Sequence, residues 1–181
     1  MLFRSGYMPL GVEVYGGALF APWFDREHSL AGRVNCKYRR GELRSCLIDI
    51  SDPIAVIPSL AIQLNRRVHD SRSINAQKEL VPLLSQLGEE EGFDFNELLL
   101  QQVKKQPAHR SAQEVLAHEL YFYDTQAPSL IGLKKEFIAS ARLDNLLSCF
   151  LACRALVSCQ NTHASLLVCN DHEEVGSASS S

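Results

Sequence analysis

Residues 165–177 read SLLVCNDHEEVGS, and the fold turns on that stretch. Residues 165–169 are a short apolar run of the length expected of a buried strand. The run passes directly into Asn170, Asp171, His172, Glu173 and Glu174, and closes on Val175 and Gly176. Polar groups crowded at the carboxyl end of a buried strand are where open α/β sheets place their ligand sites.

Working outward, a second signal stands about one βαβ unit earlier. Phe137, Ile138 and Ala139 read as a strand end, followed by Arg142, Leu143, Asp144, Asn145 and Leu146. Residues 145–158 then form a helix-length run that is apolar almost all round, as expected of a helix buried against a sheet. Strand, helix and strand in that order imply a right-handed crossover between parallel strands. That arrangement would bring Asp144 and the Glu173/Glu174 pair to one sheet edge.

Three carboxylates gathered there would repel one another unless a cation neutralised them. Oxygen donors at that density suit a divalent metal, or two metals if one carboxylate bridges. Adjacent glutamates can divide the labour, one binding metal while its neighbour takes a proton from water. The structural alternative makes Glu173 and Glu174 a solvated loop and Asp144 a cap for the following helix.

The wording of these motifs resembles the aspartyl aminopeptidase family of dinuclear metallopeptidases. The resemblance is carried by RLDNL at 142–146 and DHEEVGS at 171–177, and near the start by GVEVYGG at 11–17, WFDR at 23–26 and SLAGRV at 29–34. It implies that Asp144 bridges two divalent metal ions, zinc foremost with manganese or cobalt as alternatives. It further implies that Glu173 is the general base and Glu174 a metal ligand, with His172 not a ligand. The implied activity is release of N-terminal amino acids, acidic ones included, from peptides with a free N-terminus. The family's remaining ligands, a histidine in an upstream HTDS-type motif and an aspartate and histidine downstream, have no counterpart here.

The resemblance sets the expected architecture as α/β. Residues 1–10 are an unmatched start, 11–127 a β-rich inserted domain for dimerisation or regulation, and 128–181 a truncated βαβ piece of a zinc-peptidase-type catalytic domain. The inserted domain implies a homo-oligomer, a dimer that builds a larger closed shell. The chain is expected to stop inside its catalytic domain, carrying part of the site and inactive alone. Glutamyl aminopeptidase-like relatives share a Glu-Glu-Val-Gly motif but fit residues 23–34 poorly. From a different class, the alternative is a non-catalytic oligomerisation module of a metallopeptidase-like assembly.

Composition bounds these readings. With 181 residues, 46% of them hydrophobic, the chain can build a real core. A net charge of −3 and a pI near 6.1 argue against nucleic acid or an anionic membrane as main partner. No apolar run approaches a membrane span, and the N-terminus lacks a signal-peptide core. The six cysteines show no paired metal-ligand spacing and read as buried free thiols of a cytoplasmic protein.

In chain order, residues 12–34 are strand-like, with Gly16-Gly17 bending the chain and Ala31-Gly32 marking a close backbone approach. Residues 35–50 read as a hairpin turning at Arg40-Gly41, where Cys36 and Cys46 could face each other. Pro58 opens a short helix with Leu60, Ala61 and Leu64 at helical spacing. Family members carry a histidine there, in the wording LAIHL, that reaches a neighbouring subunit's active site; this chain has Gln63 instead. Residues 71–92 read as a polar loop ending in three glutamates. Asp94 with Glu97 starts a helix through Val103 that stops before Pro107. Residues 114–124 form a strand with Leu116, His118, Leu120 and Phe122 on one face, and Ala127-Pro128 marks the domain boundary.

Overall fold

A computed structural model describes residues 6–86, 93–160 and 163–170. The chain divides into two units, one comprising Met1–Glu13 with Leu19–Thr125 and the other Val14–Ala18 with Gln126–Ser181.

The first unit contains, in order, β1 (Tyr7–Pro9), β2 (Glu27–Lys37), β3 (Leu43–Asp49), β4 (Ala55–Val56), the single-turn α1 (Ala76–Glu79), β5 (Leu83–Gln86), α2 (Phe95–Lys105) and β6 (Glu114–Asp124). All its strand pairings are antiparallel. β2 is the axis. β6 runs along one edge of it, while β3 and β4 share the other, at Ala31–Lys37 and Glu27–His28 respectively. β5 and then β1 extend the sheet from β4.

β2 and β3 are joined through Tyr38–Glu42, with Arg40 (φ 65°) and Gly41 (φ 77°) in the left-handed region. This is the hairpin expected from the sequence. Between β3 and β4 the chain changes course while staying pinned to β2: Ile50 N–H donates to the Leu30 carbonyl and Ile54 N–H to that of His28, each at 2.9 Å. The buried Ser29 hydroxyl lies 2.9 Å from the Asp52 carbonyl and also against that of Ile50. An otherwise unsatisfied polar group inside the sheet is thereby matched.

β2 alternates as a half-buried strand should, with His28, Leu30, Val34 and Cys36 inside and Arg33 and Lys37 outside. Its inner face packs with Cys46 and Ile48 of β3 against Leu99, Leu100 and Val103 of α2, together with Tyr38, Ala112 and Val115. Leu99 and Val103 are one helical turn apart and both fully buried; each contributes about 1.5–3 kcal/mol of burial. Asp94 caps α2 by accepting from the amides of Asn96 at 2.9 Å and Glu97 at 3.4 Å. A smaller apolar cluster joins Phe24, Ile57 and Leu80, with Phe20, Trp23, Ile74 and Ala76 around it.

Several expectations need correction. Tyr7–Pro9 is a paired strand and Met8 is fully buried, so residues 7–9 belong to the sheet. Residues 10–20 contain no strand, and β2 begins only at Glu27. After Pro58 there is no helix. Residues 62–64 and 66–70 are turns, with Leu60 and Leu64 exposed. Helical spacing alone does not stabilise so short a segment when its apolar side packs against nothing. The polar loop expected at 71–92 contains α1 and β5 and buries Leu80 and Pro82; residues 87–92, including the three glutamates, lie outside the described residues. In β6 the register shifts by one, so that Asn35 faces Ala117 while Cys36 faces Val115. This bulge turns Val115 into the core beside Leu120 and leaves Leu116 exposed, reversing the faces expected for those two residues.

The second unit contains β7 (Ser129–Ile131), β8 (Phe137–Ala139) and α3 (Leu143–Ser158). β7 and β8 pair antiparallel as a hairpin, and Gly132 (φ 101°) and Lys135 (φ 56°) take left-handed conformations in its loop. The expected parallel crossover does not occur among the described residues. β8 takes its neighbour in sequence as partner, which needs only a short loop to close, and residues 163–170 form no strand. An apolar run signals a preference for burial but not which backbone will pair with it. α3 likewise has no buried residue among those described, although the sequence reads as a buried helix; Leu147, Phe150 and Leu151 are exposed.

Candidate metal centre

Asp144 is the second residue of α3, which begins two residues earlier than the sequence suggests. Arg142 precedes the helix in the left-handed conformation (φ 63°, ψ 22°) and makes no side-chain cap. Asp144 is therefore not the cap envisaged in the alternative reading. Its carboxylate is exposed and stands in the first turn, where the partial positive charge of the helix terminus favours an anion. The Ser148 hydroxyl donates to the Asp144 carbonyl at 3.0 Å, and the Cys149 thiol lies 3.5 Å from Asn145 Oδ1.

His172, Glu173 and Glu174, and with them the expected meeting of Asp144 with the glutamate pair, lie outside the described residues. The chain leading to them is described as far as Asn170. The neighbouring Cys149 thiol first, then burial and the Cys153 sulfur, push the Cys169 thiol above its ordinary value. Cys149 stands five residues after Asp144, about 7–8 Å along the helix axis at 1.5 Å per residue.

Among the described residues no group of three His, Cys, Asp or Glu is arranged to hold a metal ion. The histidines there have other surroundings. His28 is fully buried and stacks on Trp23 with ring centroids 5.1 Å apart. Its Nε2 lies 2.7 Å from the Trp23 carbonyl, which makes that nitrogen the donor, while Nδ1 is buried without a partner. His109 meets the Tyr38 hydroxyl, and His118 meets the Phe95 ring edge-on at 5.5 Å, as a histidine within a packed strand would. Sequence reasoning passed over His28; its place in the β2 alternation with Leu30 and Val34 was the available signal.

The motif at 23–26 serves the fold. Asp25 adopts φ 57° and accepts from the Ser59 amide at 2.8 Å, while its own amide donates to the Ile57 carbonyl at 2.9 Å. Hydrogen bonds from Ser59, and secondarily the Arg72 charge, hold its carboxyl below the usual aspartate value. Arg26 pairs with Asp124 at 2.8 Å, and Arg72 lies over the Phe24 ring at 4.0 Å. The Asp25 and Arg72 contacts fasten both ends of the turn-rich segment that carries Gln63 to the residues just before β2. Cys36 and Cys46 are buried in the core and unbonded, facing Arg44 and Val34 rather than each other; burial pushes both thiols up. All six cysteines are free, but only these two are buried, contrary to expectation for Cys149, Cys153 and Cys169.

No helix among the described residues is long and apolar enough to cross a membrane. The "Probable M18 family aminopeptidase 2" of Ectopseudomonas mendocina (strain ymp) is 55% identical over 179 residues, covering 98% of this chain and 41% of that protein. The chain therefore spans about two-fifths of the length of the curated relatives it matches. Among solved structures, one described as the cryo-EM structure of the Ape4 and Nbr1 complex superposes with a TM-score of 0.83 at 34% identity, over 98% of this chain and 38% of that one. The mApe1 dodecamer of S. cerevisiae superposes with a TM-score of 0.63 at 26% identity, over 87% of this chain and 34% of that one. The family described as "Aminopeptidase I zinc metalloprotease (M18)" matches residues 2–181. That match takes in the start that the motifs had left out, and with it the chain belongs to the M18 family of zinc metalloproteases.

Proposed function

We propose that this chain supplies the Asp144, Glu173 and Glu174 portion of the metal centre of an M18 aminopeptidase that removes N-terminal residues from peptides. The family match over residues 2–181 carries the reading. The donor set fits the metal: carboxylate oxygens are hard ligands that zinc accepts, and Asp144 is exposed in the first turn of a helix. Asp144 and Glu174 would hold the metal. When bound, zinc supplies Lewis acidity to the scissile carbonyl and acidity to the attacking water. Glu173 accepts the proton of that water and returns it to the departing amine, the work of a carboxylate free of metal.

In this reading the second unit is part of a larger α/β catalytic domain, and the uncovered apolar side chains of α3 pack there against the rest of the protein. The first unit is the inserted β-rich domain and joins copies of the protein into a dimer and a larger shell. Its sheet supports this: Leu43 and Leu47 of β3 are exposed, at 67% and 69%, and β6 bonds only to β2 among the described strands. An exposed strand edge is a template for pairing with another chain. The six unpaired thiols favour a cytoplasmic setting.

The test is made in the complete enzyme. Glu173→Gln should abolish most turnover while zinc content stays at the parent level, because it removes the base and no ligand. Glu174→Gln should lower zinc content itself, read by elemental analysis. The opposite pattern would overturn the assignment.

A further inference from the structure

The basic pairs Arg39-Arg40 and Lys104-Lys105 are far apart in sequence, and the first unit brings them to one end. Arg39 and Arg40 form the tip between β2 and β3, and Lys104 and Lys105 close α2. Three hydrogen bonds hold the chain after α2 to that hairpin. The Gln106 side chain donates to the Leu47 carbonyl at 2.6 Å, the Tyr38 hydroxyl lies 2.5 Å from His109 Nδ1, and the Gln113 amide donates to the Lys37 carbonyl at 2.9 Å. Arg110, next to His109, joins the same end.

Arg39, Arg40, Lys104, Lys105 and Arg110 are all exposed, and no ion pair among the described residues involves any of them. The carboxylates at this end are already engaged. Glu42 accepts twice from Arg44, at 2.7 and 2.9 Å, and Glu114 meets Lys37 at 3.8 Å. The negative end of the α2 dipole accounts for Lys104 and Lys105. It does not account for Arg39, Arg40 and Arg110, which lie outside that helix. Five like charges thus gather on a chain whose net charge is −3, which concentrates a positive potential here.

Leu43 opens β3 beside this turn and is exposed. Cations next to an uncovered leucine suit a polypeptide that carries carboxylates and an apolar side chain, and guanidinium forks match carboxylates two bonds at a time. Tyr38, the aromatic side chain of the turn, is 2% exposed and offers no platform on which bases could stack. We propose that this end of the first unit docks an acidic segment of a partner protein. The site is independent of the proposed metal centre.

The test follows the fluorescence anisotropy of a fluorescein-labelled oligoglutamate peptide containing one leucine. Its N-terminus is acetylated, so an aminopeptidase has no free amine to engage. The 181-residue chain should bind it saturably at low salt, with or without a chelator, and lose affinity as salt rises. Arg39→Ala with Arg40→Ala, and separately Lys104→Ala with Lys105→Ala, should each raise Kd about fivefold, the loss of two exposed charge contacts. Arg66→Ala with Arg67→Ala, an exposed basic pair between β4 and α1, should leave Kd within about twofold of the parent. Absence of saturable binding would overturn the proposal, as would a loss confined to one of the two pairs or shared equally by the Arg66 and Arg67 variant. So would equally tight binding of an oligonucleotide, or of vesicles containing phosphatidylserine, that the same substitutions weaken.

Discussion

Gly32 of β2 lies against the Glu119 carbonyl of β6 so closely that a Cβ built on it would overlap the oxygen and crowd the Leu120 backbone. Its φ of 153° is also one that side-chain-bearing residues rarely adopt. The longest pairing of the sheet, from His28 to Lys37 against β6, therefore depends on a hydrogen at this position. Gly32→Ala should destabilise the first unit by about 1–3 kcal/mol, the usual cost of forcing extra volume into packed structure. Denaturant unfolding followed by tryptophan fluorescence would measure it, with Trp23 as the single reporter. An unchanged midpoint would mean that β6 can move away without loss.

Asp94→Ala should cost about 1 kcal/mol, since the Asp94 carboxylate satisfies two otherwise free amides at the start of α2. Asp94→Asn should restore most of that loss because its side-chain oxygen can still accept. The pair of variants separates the cap hydrogen bond from the charge acting on the helix terminus.

Asp25 should make stability depend on pH at the acid end. Its carboxyl is held below the ordinary aspartate value of 3.8, first by the hydrogen bonds from Ser59. A carboxyl with a depressed folded-state value contributes stability that is present above the unfolded value and lost as pH falls through the folded one. The contribution should thus be complete well above pH 3.8 and fade below it. Exposure of the group keeps it modest. Asp25→Asn should reduce the slope of stability against pH in that acid window, measured by urea midpoints at stepped pH. An equal slope in both proteins would remove Asp25 from the acid response.

Much of the first unit was legible because its signals are local. The alternating run at 114–124 matches β6, Arg40-Gly41 marks a real turn, and Asp94 does cap α2. The bulge at Leu116 was not legible, because one inserted residue leaves the composition of a strand unchanged and alters only its register. β1, β4 and β5 were missed because strands of two to four residues are too short to show alternation and are defined by the partner they find. The second unit failed for a related reason: the apolar text of 145–158 and 165–169 records a need for cover but cannot name what covers it. Of the elements proposed to carry the site, the helix bearing Asp144 was right in kind, though two residues longer at its start.

Zinc added to the 181-residue chain alone should bind weakly and give no measurable peptide turnover. A two-metal centre needs enough donors to offset the desolvation of both ions and hold them about 3.5–4 Å apart. In the proposed site this sequence offers Asp144 and Glu174 as ligands beside the base Glu173, while the histidines and further aspartate that the family motifs lead one to expect are absent. Imidazole and carboxylate ligands are most effective when neighbouring groups fix their orientation, and α3, which carries Asp144, has no buried side chain among the described residues to lock it. Calorimetric titration with zinc should show little saturable heat, and what there is should fall with Asp144→Asn. Assays for release of the first residue from short peptides, with zinc, manganese or cobalt present, should stay at background. Robust metal-dependent turnover, abolished by Glu173→Gln, would mean that the chain completes the ligand set from its own residues, and the division of the site between this chain and a larger protein would have to be given up.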